Sequence, residues 1–335
     1  MTVRVGINGF GRIGRAFLRC VTDSPGSGIE VVAVNDLARI DTLAYLLRHD
    51  STYGPWERKV EHDQHTMVVQ DQPIRVTNEV VPGDIDWKAV GAEVVIEATG
   101  RFRTREAAAE HLVAGARKVL ISAPGKDCDA TVVVGVNDED YDPLSHDIVS
   151  AASCTTNCLA PMVAVLDRNF GVRNGLMTTL HSYTGGQHLL DNAHKDLRRG
   201  RSAAVNLVPT TTGAAKAIDT VLPWCSGRIG GLAVRAPVVD GSLTDLTVEL
   251  TERVPVAEIN DAFRTAAEGW LSGVLRYNTD PIVSSDIIGD PASCVFDATL
   301  TQARSTLVKV FGWYDNEWGY TNRLVDLVGK LLPTV

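Results

Sequence analysis

Val3-Arg4-Val5-Gly6-Ile7-Asn8-Gly9-Phe10-Gly11-Arg12-Ile13-Gly14 decides the fold of this chain. Residues 2–7 read as a short buried strand, and apolar residues recur with helical period from Ile13 to Val21. Gly9, Gly11 and Gly14 stand between them in G-x-G-x-x-G spacing. Gly9 permits the tight turn, Gly11 lets the backbone approach a pyrophosphate, and Gly14 lets helix and strand pack closely. A helix that begins there aims its unbonded N–H groups at an anion. Asp36 follows Gly14 by 22 residues, at the end of the second strand-like run. A carboxylate at that point accepts from ribose hydroxyls and repels a 2′-phosphate, so the spacing predicts a dinucleotide site that favours NAD over NADP.

Outward from this turn, strand-like runs recur at 31–34, 94–98, 119–122, 131–134 and 148–151, with helical stretches at 41–48 and 104–116. Buried strands alternating with helices predict an α/β, Rossmann-type doubly wound parallel sheet. Residues 57–80 read as an antiparallel excursion, with 67–69 and 74–76 flanking a polar turn. After Cys154 the character changes. A helix towards Phe170, bent or broken near Pro161, precedes a strand at 175–181, and a polar loop follows from Ser182 to about Asn206. Long strands at 232–238, 244–250 and 306–314 predict an α+β domain with a largely antiparallel or mixed sheet. The expected division is a nucleotide-binding domain over 1–152, completed by a C-terminal helix over 316–335, and a catalytic domain over 153–315.

Lys+Arg 32 against Asp+Glu 41 leaves a net charge of −9, which argues against nucleic acid or an anionic membrane as partner. No run approaches the ~20 apolar residues of a membrane span, and the N-terminus has no signal-peptide pattern. Six cysteines without a second Cys/His pair near Cys154 and Cys158 predict neither a disulfide framework nor a metal site. The expected compartment is the reducing cytoplasm.

Ala151-Ala152-Ser153-Cys154-Thr155-Thr156-Asn157-Cys158 places a thiol at a helix start among three hydroxyl residues. The helix dipole there lowers a thiol pKa and favours the nucleophilic thiolate. A plain core cysteine has no need of Ser153, Thr155 and Thr156 around it, whereas an anionic substrate or an oxyanion does.

With these motifs on view, the chain resembles the glyceraldehyde-3-phosphate dehydrogenase family. The likeness runs from Val5–Arg15 through Ala98-Thr99-Gly100, Ser153–Cys158, His181-Ser182-Tyr183-Thr184 and Thr211–Lys216 to Trp313–Tyr320. It implies phosphorylating oxidation of glyceraldehyde 3-phosphate with inorganic phosphate, through a thiohemiacetal and a thioester on Cys154, with His181 as general base. It further implies that Thr184, Arg199 and Arg235 hold the substrate phosphate, while Ser153, Thr155, Thr212, Gly213 and Arg235 shape the site for the incoming phosphate. Arg235 lies in an apolar strand, where an unpaired charge is costly and a bound anion relieves the cost. For NAD, Gly9, Phe10, Gly11, Arg12, Ile13, Gly14 and Asp36 would form the turn and the ribose contact. Thr99, Gly100 and Ser122 would line the crevice, and Asn316 would bond the nicotinamide amide. The family also implies a homotetramer, with the 182–206 loop between subunits.

The chain departs from the family at three places. Gly185-Gly186 stands where relatives commonly carry Asn-Asp, and Asn192-Ala193 replaces a Leu-Pro pair of NAD-specific members, which leaves some NADP use open. Val80 falls where relatives often have a basic residue. Two alternatives share parts of the pattern. Erythrose-4-phosphate dehydrogenase keeps the cysteine and histidine but usually departs from Ser-Tyr-Thr after the histidine. A non-catalytic, redox-sensing NAD-binding protein needs no full set of Cys154, His181, Arg199 and Arg235.

Overall fold

A computed structural model describes residues 2–333 of the chain, so the expected helix over 316–335 extends at 334–335 beyond the described residues. The chain divides into two compact units. One takes the residues up to Val132 with Glu139–Ala152 and the segment from Thr321 on; the other takes Val133–Asp138 with Ser153–Tyr320.

The first unit holds a nine-stranded sheet. Strand Val3–Asn8 is central, with Ile29–Asn35 parallel to it on one side and Val94–Glu97 parallel on the other. Strand order therefore reverses at Val3–Asn8, and the glycine turn sits at its carboxyl end, where open α/β sheets bind ligands. Lys118–Ile121, Ile148–Ser150 and Ala130–Thr131 continue the parallel side. The expected strand at 131–134 shrinks to the two residues Ala130–Thr131. Val94, Val95, Ile96, Val119, Leu120 and Ile121 are all fully buried, as strands covered on both faces must be.

The excursion is part of this sheet. Thr66–Val69 and Gln72–Thr77 do form an antiparallel hairpin. Its turn residues Gln70 and Asp71 both have positive φ (49° and 68°), the conformation that matches the twist of a two-residue hairpin. Gln72–Thr77, however, also pairs parallel with Ile29–Asn35, so the hairpin extends the main sheet.

The second unit is built on a mixed sheet in the order Val208–Thr210, Ile229–Ala236, Val172–Ser182, Ser242–Leu250, Leu307–Tyr314, Cys294–Asp297, Leu275–Asn278. The pairs Val172–Ser182 with Ile229–Ala236 and Leu275–Asn278 with Cys294–Asp297 are parallel, and the other neighbours are antiparallel. The cysteine helix, Cys154–Phe170, is continuous through Pro161. Proline removes one helical hydrogen bond, yet nearly every residue from Thr155 to Leu166 is buried, and that packing holds the helix together. Its Cys158 is a core residue. It lies over Gly312, where a Cβ would come within 3.0 Å of Cys158 Sγ and 2.7 Å of both Met162 Sδ and Cys294 Sγ.

Candidate active site

Cys154 is the first residue of its helix, and the Ser153 hydroxyl caps that helix by accepting the Thr156 N–H at 3.0 Å. The entry is sharp: Ala152 adopts a positive φ of 55° immediately before it. His181 comes from the end of strand Val172–Ser182, and Arg235 sits directly opposite it on the parallel strand Ile229–Ala236. Cys154 Sγ lies 3.5 Å from His181 Nε2. On the far side of the ring, Nδ1 lies 2.8 Å from the Ser182 carbonyl oxygen and 2.6 Å from Arg235 Nη1. Arg235 Nη1 also donates to the Ser182 carbonyl at 3.0 Å.

This flanking has a chemical consequence. The carbonyl accepts from an Nδ1–H, and the guanidinium donates to a bare Nδ1. Either neutral tautomer thus has a partner, so Nε2 can take a proton from the sulfur or return one.

Burial sets the resting charges. It pushes the Cys154 thiol up to about 11, while the Arg235 charge and hydrogen bonds at Thr155 pull it down. The direction holds even though Cys154 keeps an opening to solvent. Burial first, and then the Arg235 guanidinium, push His181 down to about 3. Both directions favour thiol and neutral imidazole, against the thiolate expected from the helix start.

Tyr314, Thr179 and Ser242, which the sequence reading did not assign to the site, support this pair and the expected Asn316. The Tyr314 hydroxyl is within 2.9 Å of Thr155 Oγ1 and 2.8 Å of Thr179 Oγ1, and its ring meets His181 edge-on at 5.9 Å. Asn316 Oδ1 accepts from Ser182 Oγ at 2.8 Å and from Ser242 Oγ at 2.7 Å. Each is a buried polar group satisfied by a strand far away in sequence, which leaves no local signature.

The other expected anion residues are less uniform. Thr155's hydroxyl is engaged with Tyr314, and Ser153's with the helix cap. Arg199 Nε donates to Thr210 Oγ1 at 2.8 Å and lies 3.9 Å from an Asp196 oxygen, and its Nη2 lies 3.5 Å from the Thr211 carbonyl oxygen. Thr212 Oγ1 accepts the Ala214 N–H at 3.1 Å, where helix Ala214–Val221 begins after Gly213. Thr184 is exposed. A Cβ on Gly185 would meet nothing within 4 Å, and one on Gly186 only Thr184 Oγ1 at 3.9 Å, so the backbone there does not require glycine.

In the first unit, an open cavity of about 290 Å³ takes in Asn8, Gly9, Gly11, Asp36, Thr99 and Val80. Gly9 has φ +95°, and a Cβ on it would lie 2.7 Å from Thr99 N; at Gly11 the space is open. A Cβ on Gly14 would run into the Gly9 carbonyl. These are the three glycine roles a dinucleotide turn demands, so the residues fit the group. Asp36 accepts from Phe10 N at 2.8 Å and Ala38 N at 2.9 Å, leaving further lone pairs for hydroxyls. The Phe10 ring is core, and Ile13 is half-buried at the start of its helix. Arg12 pairs with Asp50 and covers the Tyr53 ring. Gly100 has φ +69°, and the Ser122 hydroxyl donates to the Glu97 carbonyl. Behind the cavity lies an unforeseen buried network. Trp87 Nε1 donates to His111 Nδ1 at 3.0 Å, and His111 Nε2 reaches Glu97 Oε2 at 3.1 Å. Asn8 donates to the same carboxylate at 2.6 Å, and Thr99 N to its other oxygen at 2.9 Å.

Among the described residues no helix is long and apolar enough to cross a membrane, and no cluster of three or more His, Cys, Asp or Glu could hold a metal ion.

Comparison with known proteins gives one answer. The family described as the NAD binding domain of glyceraldehyde 3-phosphate dehydrogenase matches residues 3–105, and the C-terminal domain of that enzyme matches residues 153–316. The chain is 54% identical over 328 residues to glyceraldehyde-3-phosphate dehydrogenase 2 of Streptomyces avermitilis, covering 98% of each chain. It is 55% identical over 329 residues to the Streptomyces coelicolor enzyme and 53% over 333 to that of Mycobacterium tuberculosis, again with 98% of each chain covered.

Proposed function

The chain belongs to the glyceraldehyde-3-phosphate dehydrogenase family, and we propose on that footing that it oxidises glyceraldehyde 3-phosphate to 1,3-bisphosphoglycerate with inorganic phosphate, reversibly. The observation that carries the reading is the 3.5 Å approach of Cys154 Sγ to His181 Nε2, with Arg235 behind the ring.

The sulfur passes its proton to Nε2 and adds to the aldehyde carbon. The resulting alkoxide takes that proton back, and Nε2 removes it again as hydride leaves the thiohemiacetal carbon. NAD, when bound, is the hydride acceptor. A thioester on Cys154 remains, and inorganic phosphate attacks its carbonyl to release the acyl phosphate. Arg235 stabilises the sulfur anion and, with Thr184 and Arg199, takes the substrate phosphate. Ser153, Thr155, Thr212 and Gly213 shape the site for attacking phosphate through their backbone N–H groups as well as hydroxyls. Asn316 takes the nicotinamide carboxamide; Gly9–Gly14, Asp36, Thr99, Gly100 and Ser122 serve the rest of the dinucleotide. In this reading the first unit is the nucleotide-binding domain and the second the catalytic domain.

NADH formation from glyceraldehyde 3-phosphate with and without phosphate tests the assignment. Turnover independent of phosphate would point instead to hydrolysis of the acyl-enzyme. The preferred cofactor is NAD, with some NADP turnover. Asp36→Ala raises kcat/KM for NADP, and it also weakens NAD because the Phe10 N–H loses its acceptor. An NADP value above that for NAD in the unaltered protein would overturn the preference.

The assembly proposed is a homotetramer of dihedral symmetry in the cytoplasm. Leu176 is 71% exposed on strand Val172–Ser182 and Leu232 45% on its neighbour, and the 182–206 loop exposes Leu189, Leu190 and Leu197. Such an apolar surface is what an identical subunit covers. An active monomer in light scattering would contradict it.

A further inference from the structure

The parallel strands Val94–Glu97, Val3–Asn8, Ile29–Asn35 and Gln72–Thr77 lie side by side, and each ends in a polar residue. Those four residues are hydrogen-bonded in a row. Asn8 Nδ2 donates to Glu97 Oε2 at 2.6 Å, Asn35 Nδ2 to Asn8 Oδ1 at 2.8 Å, and Thr77 Oγ1 to Asn35 Oδ1 at 2.8 Å. Glu97, Asn8 and Asn35 are buried, so a partner lost from the row is not replaced by bulk water.

One carboxylate sets the direction of the whole row. It can only accept, and Glu97 receives donors on both oxygens: Asn8 and His111 on Oε2, the Thr99 N–H and hydroxyl on Oε1. Asn8 must therefore turn its NH2 towards Glu97 and its carbonyl towards Asn35. Asn35 in turn offers its NH2 to Asn8, which leaves its carbonyl for Thr77 and for the Glu79 N–H at 2.8 Å. Its second amide hydrogen goes to the Glu79 carbonyl at 2.9 Å. Asn35 thus uses both hydrogens and both lone pairs, and only one orientation of its amide satisfies them. Asn8, Asn35, Glu79 and Thr99 all line the cavity at Gly9, and Asn35 immediately precedes Asp36.

We propose that Glu97 is a positioning residue for the dinucleotide: its carboxylate orients the Asn8 and Asn35 amides and so ties the Thr99 side of the cavity to the Glu79 side. The inference rests on the nucleotide site proposed above and adds a residue that acts on it through its neighbours. Glu97→Gln sets an NH2 against the Asn8 and His111 donors. The row is then satisfied only by turning both asparagine amides over, which takes the acceptor away from the Glu79 N–H, beyond three neighbouring strand ends. Asn8→Asp alone brings two buried carboxylates together, which is costly. Combined, the two substitutions restore the bonds. The new amide donates to the new carboxylate, which still accepts from Asn35. The Asn8 Nδ2 position lies 3.4 Å from His111 Nε2, so that carboxylate takes the His111 donor as well.

NAD affinity of the full chain by calorimetry tests this, for wild type, Glu97→Gln, Asn8→Asp and the double variant. Each single variant should bind about tenfold more weakly or worse, and the double variant should return to within about threefold of wild type, a coupling that independent sites do not show. A double variant no better than the weaker single overturns the proposal, as does a Glu97→Gln affinity within about twofold of wild type. Amide hydrogen exchange without cofactor gives a second readout. Exchange at Glu79 should quicken about tenfold in Glu97→Gln and return in the double variant, while Leu120 in the buried sheet stays protected throughout. Unchanged exchange at Glu79 in Glu97→Gln would show that the row transmits no orientation, and it refutes the proposal. This readout judges the row even if the wild type binds no NAD, a result that would fail the nucleotide site instead. If Glu97→Gln alone does not fold, a double variant that folds and binds NAD supports the proposal, and one that also fails to fold sinks it.

Discussion

Two buried histidines, one in each unit, are held by their partners in different ways. His111 is 0% exposed and His181 5%. The Trp87 indole can only donate, so His111 Nδ1 accepts from it, and Nε2–H is left facing the Glu97 carboxylate. Both partners dictate the tautomer, and the proton has nowhere to go. His181 is held at Nδ1 by an acceptor and a donor at once, and its Nε2 meets a sulfur at a loose 3.5 Å. Its proton can move. Burial and polar partners are therefore common to His111 and to His181, the base we propose; what separates them is whether the partners fix the proton or leave two placements open.

The largest expected effects test that contrast directly. Cys154→Ser should lower the rate of NADH formation by roughly 10⁴–10⁶-fold, the range for losing a member of a nucleophile–base pair. His181→Asn should slow single-turnover hydride transfer by roughly 10²–10⁴-fold. His111→Asn should leave that rate within a factor of about two and cost roughly 1–3 kcal/mol in urea unfolding at fixed protein concentration, because the Trp87 N–H and Glu97 lose a partner. A His111 variant that lost turnover but kept its unfolding midpoint would erase the distinction.

A pH profile sharpens the His181 side. With the Cys154 thiol pushed up to about 11, its alkylation by iodoacetamide should quicken about tenfold per pH unit through neutral and alkaline pH, following the thiolate fraction. His181, pushed down to about 3, adds no second step near neutrality. A plateau reached by about pH 7 would mean that the helix start and Arg235 outweigh desolvation after all.

What was legible in the sequence was local. The glycine turn, Asp36 and the helix-start cysteine are set by residues within a turn or two of one another, and their spacing states their geometry. Dipole reasoning about Cys154 was local too; burial, which pushes the thiol the other way, depends on what the fold packs around the sulfur. The helix is not broken at Pro161, because packing along its whole length offsets one missing hydrogen bond. The parallel pairing of Gln72–Thr77 with Ile29–Asn35 joins two segments about 40 residues apart. No spacing rule reaches them.

The smallest predicted effect probes whether His111 is as purely structural as its contacts imply. The network does not stop at the ring. Glu97 holds Asn8 and Thr99, and both line the cavity beside Gly9. Trp87→Phe removes the donor to His111 Nδ1 and some of the ring packed against Gly6, where even a Cβ would lie 2.5 Å from the indole. Glu97 keeps the His111, Asn8 and Thr99 donors, so its carboxylate should stay in place. The expected result is a stability loss of about 1–2 kcal/mol with NAD affinity changed less than about twofold. A drop in NAD affinity of tenfold or more with stability unchanged would show that His111 also positions the cofactor through Glu97 and Thr99. The two histidines would then differ in what they move, a cofactor or a proton, and no longer in whether they act at all.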